Sequence, residues 1–310
     1  MTQSSSLAEQ VYLITGASTG IGAALARRLA AELVGIRLVL AARNREKLEA
    51  VATECRKAGA EVLVVPTDLA ELEQVKALAR AALEQFGHVD VLVNNAGYGQ
   101  MGPIELISPE DAQRQFAVNF HAPLVLSQAF IPVMRDRGGG RIINVSSLGG
   151  RVAFPAGGMY SPSKFALEAL SDVLRMELDA FNIKVIVVEP GPVTTDFFGV
   201  AGDKLALNAP EPGKTIYRPA IEAIKEIEQR TARMAWSSER LAGLIIRVLK
   251  ARHPRHRYVA ATGGEIMLFF MTKLLPRRFV DWFWKRFYSI DQVEKDWKNR
   301  LQQMAERSSS

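Results

Sequence analysis

Five-residue apolar runs, separated by stretches of helical length, constrain this chain more than any other feature. The runs are Val11–Thr15, Arg37–Ala41, Glu61–Val65, Val89–Val93, Arg141–Val145 and Lys184–Val188, with a weaker seventh at Tyr258–Ala260. Rich in Val, Ile and Leu and hardly alternating, they read as strands covered on both faces, which is the habit of parallel sheets. Between them lie amphipathic segments at Ile21–Leu33, Arg45–Lys57, Leu72–Phe86, Pro109–Arg135 and Tyr160–Phe181. Strict β-α alternation predicts an α/β protein with a Rossmann-type, doubly wound parallel sheet.

Connections are short except over Pro190–Pro219, where five prolines and four glycines predict a long loop of the lid or binding kind. The 310 residues are 48% hydrophobic and 23% charged, which excludes a disordered or collagen-like chain. One cysteine, Cys55, excludes an intrachain disulfide framework. The first ten residues lack the basic and apolar regions of a signal peptide, and no apolar run reaches about 18 residues, so a cytoplasmic location is expected. A net charge of +6 points at first to nucleic acid, but residues 1–250 are balanced and the whole excess lies in residues 251–310. No nucleic-acid module accompanies it, and no nucleic-acid partner is expected.

The first strand runs directly into Thr15-Gly16-Ala17-Ser18-Thr19-Gly20-Ile21-Gly22, and a helix follows. Glycines at 16, 20 and 22 allow a tight turn and let backbone amides approach a pyrophosphate at the helix N-terminus. Further along, Tyr160 and Lys164 are four apart and share one helical face. A nearby cation favours phenolate, which makes a tyrosine competent to exchange a proton with an alcohol or carbonyl oxygen. Ser147 lies thirteen residues earlier, just past a strand, with Ser146 as its competitor. The four histidines do not cluster with Cys55 or carboxylates at zinc spacing, so no metal is expected.

Together with Asp68-Leu69, Asn94-Asn95-Ala96-Gly97, Asn119 and Pro190-Gly191 followed by Thr195, these motifs resemble the short-chain dehydrogenase/reductase family in its shorter-core form. The likeness runs from about Val11 to Thr195, and more weakly to about residue 260. It implies hydride transfer between a nicotinamide and a carbonyl or alcohol, with Asn119, Ser147, Tyr160 and Lys164 as the catalytic set. Ser147 rather than Ser146 matches the family's spacing to the tyrosine. It implies a cofactor site built from Gly16, Ser18, Thr19, Gly20, Ile21, Gly22, Asp68, Leu69, Asn95, Ala96, Gly97, Tyr160, Lys164, Pro190, Gly191, Val193 and Thr195. Ala42 occupies the position of the aspartate that marks NAD-type members, and Arg43 follows it. A guanidinium there suits a 2′-phosphate, so NADP(H) is expected before NAD(H). A homo-oligomer is the family's habit. A nucleotide-binding sensor or scaffold on the same fold, without significant turnover, is the alternative.

Leu148, Phe154, Met159 and Phe197 flank the tyrosine and the last motif and are expected to line a lipophilic substrate, as is Phe198. The sequence around Glu189 resembles the steroid- and retinoid-active branch. Residues 1–262 form the expected catalytic domain and 263–310 an extension beyond the family's usual core. There, Phe279, Val280, Phe283, Trp284, Phe287 and Tyr288 oppose Arg277, Arg278, Asp281, Lys285 and Arg286. Such a helix either covers the cleft, packs on a second subunit, or lies in a membrane interface.

Overall fold

The computed structural model describes residues 7–195, 197–208 and 214–308. Seven parallel strands form one sheet: β1 (Val11–Thr15), β2 (Arg37–Ala42), β3 (Glu61–Pro66), β4 (Val91–Asn94), β5 (Gly140–Val145), β6 (Ile183–Pro190) and, last in the chain, β9 (Arg257–Ala260). Their order, β3-β2-β1-β4-β5-β6-β9, reverses direction between β1 and β4. Ligands of doubly wound sheets bind in the crevice opened at such a reversal, beyond the carboxyl ends of the strands. Two-residue strands β7 (Val193–Thr194) and β8 (Trp236–Ser237) pair separately.

The helices are α1 (Gly20–Glu32), α2 (Arg45–Lys57), α3 (Leu72–Phe86), α4 (Pro109–Phe116), α5 (Ala122–Asp136), α6 (Tyr160–Leu178), α7 (Phe197–Asn208), α8 (Arg218–Thr231), α9 (Ser238–Lys250), α10 (Gly264–Phe269), α11 (Arg277–Phe287) and α12 (Ile290–Ser308). Alternate residues of β1 feed two cores. Tyr12 and Ile14 pack with Leu25, Leu29, Leu48, Leu241 and Ile245 of α1, α2 and α9, whereas Val11 and Leu13 pack with Leu78, Leu126, Phe130 and Leu174 of α3, α5 and α6. This two-sided burial is why the strands read as unbroken apolar runs. Side-chain caps set helix starts: Asn44 accepts from Lys47 N at 2.8 Å and Ser108 from Asp111 N at 3.1 Å, each contributing about 1 kcal/mol.

Two expectations are corrected. Pro109–Arg135 is not one regular helix: a π-turn over Ala117–His121 separates α4 from α5. Hydrophobic periodicity continues through it, and the extra residue it accommodates places Asn119 inward. Pro190–Pro219 is not a plain loop, since it contains β7 and α7. Ala201 and Leu205 of α7 are buried against Met101 and Ile221, a contact that only the folded chain provides. Pro210 and Pro212 lie outside the described residues.

The extension packs on the domain. Trp284, Phe287 and Tyr288 join a third apolar cluster with Met101, Phe154, Leu205 and Ile224. The six aromatic and aliphatic residues expected on one face of α11 divide: Val280 is buried, but Phe279 turns outward and is 45% exposed beside Trp282.

Candidate active site

The glycine turn is held against the loop after β4. Gly16 and Gly20 have φ of +68° and +55°, which glycine adopts without strain. A Cβ on Gly16 would lie 2.9 Å from both Ala96 Cα and Asn95 Nδ2, and one on Gly22 would lie 2.7 Å from the same nitrogen. Asn95 itself braces the turn, donating from Nδ2 to Thr15 O at 2.9 Å, while the Asn95 and Ala96 amides both donate to Thr15 Oγ1 at 3.1 Å. Thr19 precedes α1 without a side-chain cap, leaving the first amides of that helix suited to an anion. Ser18 and Ile21 are partly buried in the same turn. Thr195 crosses from the end of β7: its Cγ2 lies 3.1 Å from the Cβ position of Gly20. Gly191 and Val193 sit in the same crossing, bonded to Ala260 and paired with Trp236 respectively. A cradle of glycines that admits no Cβ, facing an uncapped helix start at the sheet's switch point, fits a dinucleotide.

At its outer end, Arg43 is exposed just before the Asn44 cap. Asp68 caps its own turn by accepting from Ala70 N at 3.0 Å and pairs with Arg114 at 2.7 Å. Burial draws its pKa up, but the Ala70 amide, Arg114 and the Arg43 charge together hold it below the usual carboxylate range. Leu69, next to it, is buried in the second core. No local sequence pattern marks Arg114, because its partner is 46 residues away.

Asn119, Ser147, Tyr160 and Lys164 come together at the carboxyl edge of β4 and β5. Asn119 is buried; its Nδ2 donates to Ser163 Oγ at 3.0 Å and Tyr98 O at 3.2 Å, and its Oδ1 accepts from Tyr98 N at 3.4 Å. A Cβ on Gly97 would lie 3.3 Å from both Asn119 Oδ1 and Lys164 Nζ, so these two groups flank that backbone. The Lys164 ammonium donates to Val145 O at 2.7 Å, and burial brings its pKa down from 10.5 to about 8, with the Glu168 charge pulling back upward. Tyr160 opens α6. Burial pushes its phenol up to about 12, and a hydrogen bond with Ser147 pulls the other way. Ser147 Oγ also accepts from Gly149 N at 3.0 Å and lies 3.5 Å from Pro190 O, at the end of β6. Ser146 instead lies buried beneath the turn, 2.7 Å from the Cβ position of Gly150. Pro162 falls in the first turn of α6, where the amide it removes has no helical partner.

Behind these side chains runs an ion network assembled from distant positions of the chain. Glu189, fully buried in β6, pairs with Arg151 at 2.8 Å and Arg257 at 3.3 Å; Arg257 also reaches Glu168 at 3.0 Å and Asp172 at 2.6 Å. It ties the turn after Ser147 and the helix of Lys164 to β6 and β9. The spacing of Glu168 four residues after Lys164 was its one local sign.

Of the residues expected to meet substrate, Phe197 packs edge-on against Tyr160 with ring centroids 5.1 Å apart. Leu148 lies by Gly191 and Gly264. Phe154 stacks on Tyr288 at 5.1 Å, so its ring is engaged by the extension. Met159 lines a hollow of about 390 Å³ with Ala112, Gln113, Phe116 and His121. The side chain of Phe198 lies outside the described residues.

Residues 10–205 match the short chain dehydrogenase family model. The chain belongs to that family. Among its relatives, 3-ketodihydrosphingosine reductase of Bacteroides thetaiotaomicron is 28% identical over 281 residues, covering 91% of this chain and 98% of the other. A metagenomic short-chain oxidoreductase in complex with NADP shares 32% identity at a TM-score of 0.65, over 82% of this chain and 97% of that one. A short-chain dehydrogenase/reductase of Burkholderia phymatum in complex with NAD shares 30% identity at a TM-score of 0.71, over 80% and 88%. The chain is therefore an oxidoreductase on a nicotinamide-binding fold, and its relatives include both NADP and NAD complexes.

Proposed function

We propose that this short-chain dehydrogenase is an NADP(H)-dependent enzyme interconverting a lipophilic ketone or aldehyde and its alcohol. The observation that carries it is Tyr160, hydrogen-bonded to Ser147, one turn of α6 before the buried Lys164 that lies beside Gly97. Bound in the glycine cradle, the nicotinamide would supply or accept the hydride at the carbonyl carbon. The Tyr160 hydroxyl gives its proton to the carbonyl oxygen, and Ser147 Oγ donates a hydrogen bond to the same oxygen. Lys164 keeps a positive charge behind the phenol that favours phenolate after transfer. Asn119 fixes the Tyr98 and Ser163 backbone and hydroxyl around that lysine. The nearness of Asn119, Ser147, Tyr160 and Lys164 to one sheet edge supports an enzyme rather than a sensor.

Arg43, with no carboxylate at position 42, supports NADP(H). The aromatic ring of Phe197 set against Tyr160 supports a lipophilic substrate. The Bacteroides relative is named for a ketone, 3-ketodihydrosphingosine. A homo-oligomer is supported by the exposed stripe Phe165, Val173 and Met176 at helical spacing on α6. The unpaired, buried Cys55 suits a cytoplasmic location. The test is NADPH oxidation against a panel of lipophilic ketones and aldehydes, with Tyr160→Phe alongside. The variant is expected to lose turnover by several hundred-fold or more (general acid catalysis supplies about 10²–10⁴) while still binding NADPH. Wild-type turnover of none of the panel, or retained turnover in Tyr160→Phe, refutes the proposal.

A further inference from the structure

The inner face of the extension packs on the domain, and its outer face carries a second set of large apolar side chains. Ile266, Phe269, Phe270, Leu274, Phe279 and Trp282 are all exposed, Ile266 by 66% and Trp282 by 59%, within a span of 17 residues. They are firmly mounted. Gly264 and Leu268 bury the inner side of α10, and Val280 with Tyr288 buries the inner side of α11. Aromatic pairs rigidify the tips, with Phe269 and Phe270 centroids 5.9 Å apart and Phe279 and Trp282 5.5 Å apart. A soluble surface rarely leaves so many large apolar side chains together without a purpose.

The charges around them select the partner. Between residues 263 and 287 stand Lys273, Arg277, Arg278, Lys285 and Arg286 against only Glu265 and Asp281, in a chain whose first 250 residues are balanced. Arg277 pairs with Asp281 and Arg286 with Asp291, whereas Lys273 and Arg278 enter no ion pair among the described residues. A second copy of the same cationic face would be repelled by it. An anionic headgroup layer over hydrocarbon matches both features at once, the cations at the lipid surface and the aromatic tips below it.

We propose that the outer face of α10 and α11, with the turn between them, docks this enzyme peripherally on an anionic lipid bilayer. The docking is peripheral because the described helical stretch long and apolar enough to span a membrane, Pro109–Asp136, is part of the core and carries Asn119. The same helix joins surface to site: α11 turns Phe279 and Trp282 outward and Trp284 inward, and Trp284 and Tyr288 lie on Phe154, six residues before Tyr160. Docking thus sets the helix that packs on Phe154 against the bilayer, where a lipophilic carbonyl resides. This last consequence rests on the substrate class proposed above; the docking itself does not.

Co-sedimentation of the full chain with vesicles tests it without any substrate. Vesicles of phosphatidylcholine alone are compared with vesicles containing about a third phosphatidylserine. The intact protein is expected to pellet with the anionic vesicles and much less with the neutral ones. Lys273→Glu/Arg278→Glu should weaken that binding more than ten-fold, since each cation near the surface contributes roughly five-fold. Phe269→Ser/Trp282→Ser should weaken it on both vesicle types, and circular dichroism should show both variants folded. Failure of the intact chain to pellet, or equal pelleting by folded variants, overturns the proposal. So does sedimentation velocity showing a dimer that Phe269→Ser/Trp282→Ser dissociates while no vesicle binding occurs, which would make the face a subunit contact.

Discussion

Replacing Arg43 by alanine should separate the two nicotinamide cofactors. Arg43 is exposed at the end of β2, directly before the capped start of α2, and its charge is felt at Asp68 and Tyr98 across the crevice. The nearby Arg114 is engaged by Asp68 at 2.7 Å, which leaves Arg43 as the cation best able to meet a 2′-phosphate. A phosphate of roughly two charges about 5 Å from a guanidinium in a water-like medium gains about 2 kcal/mol. That corresponds to roughly thirty-fold in affinity. Arg43→Ala is therefore expected to raise the NADPH Kd and KM about thirty-fold while leaving NADH nearly unchanged. Ala42→Asp added to it should reverse the preference, by repelling the phosphate and accepting the ribose hydroxyls that NADH presents. The assay is cofactor titration by fluorescence together with steady-state KM for each cofactor, at low and high salt. The wild-type advantage for NADPH should shrink at high salt, because an exposed pair is screened within about 8 Å at physiological ionic strength. Equal loss for both cofactors, or no loss for either, refutes the assignment of Arg43 to the 2′-phosphate.

Two further outcomes follow from the buried groups of the site. With Lys164 near 8, its ammonium is present below that pH and lost as pH rises through it, so kcat/KM for carbonyl reduction should fall above about 8. Glu168→Gln removes a charge that keeps this lysine protonated and should move the falling limb to lower pH; an unmoved limb in an active variant refutes the coupling. Asn119→Ala leaves the Tyr98 amide without its acceptor, whereas Tyr98 O keeps its bond from Gln115. Loss of a buried partner costs about 1–3 kcal/mol, so urea unfolding should show a stability loss of about 2 kcal/mol alongside reduced turnover. Unchanged stability with unchanged turnover would refute the bracing role.

What the sequence discloses here depends on how local the governing physics is. β1 is legible because five residues in a row are buried. The glycine turn is legible because positive φ at Gly16 and Gly20 is a backbone requirement written in one residue type. Tyr160, Lys164 and Ser147 are legible because one helix turn and one strand end fix their relation. The inward position of Asn119 on the π-turn is hidden, since its partners Tyr98 and Ser163 are 21 and 44 positions away. Arg257 is hidden for the same reason: its three carboxylates come from β6 and α6, and only the sheet's last pairing, β6 with β9, brings it to them. That network matters to the chemistry. Removing one partner of a buried pair costs about 3–5 kcal/mol, so the charges on Glu168 and Glu189 hold the turn of Ser147 and the helix of Lys164 in register. The division within α11 is of the same kind. Amphipathic spacing identifies a helix with an apolar side, but the docked partner decides which aromatics that side includes. Trp284 and Tyr288 find Phe154, while Phe279 and Trp282, on α11, remain about half exposed among the described residues. The extension thus has two apolar surfaces, and among the described residues the fold buries one and leaves the other exposed.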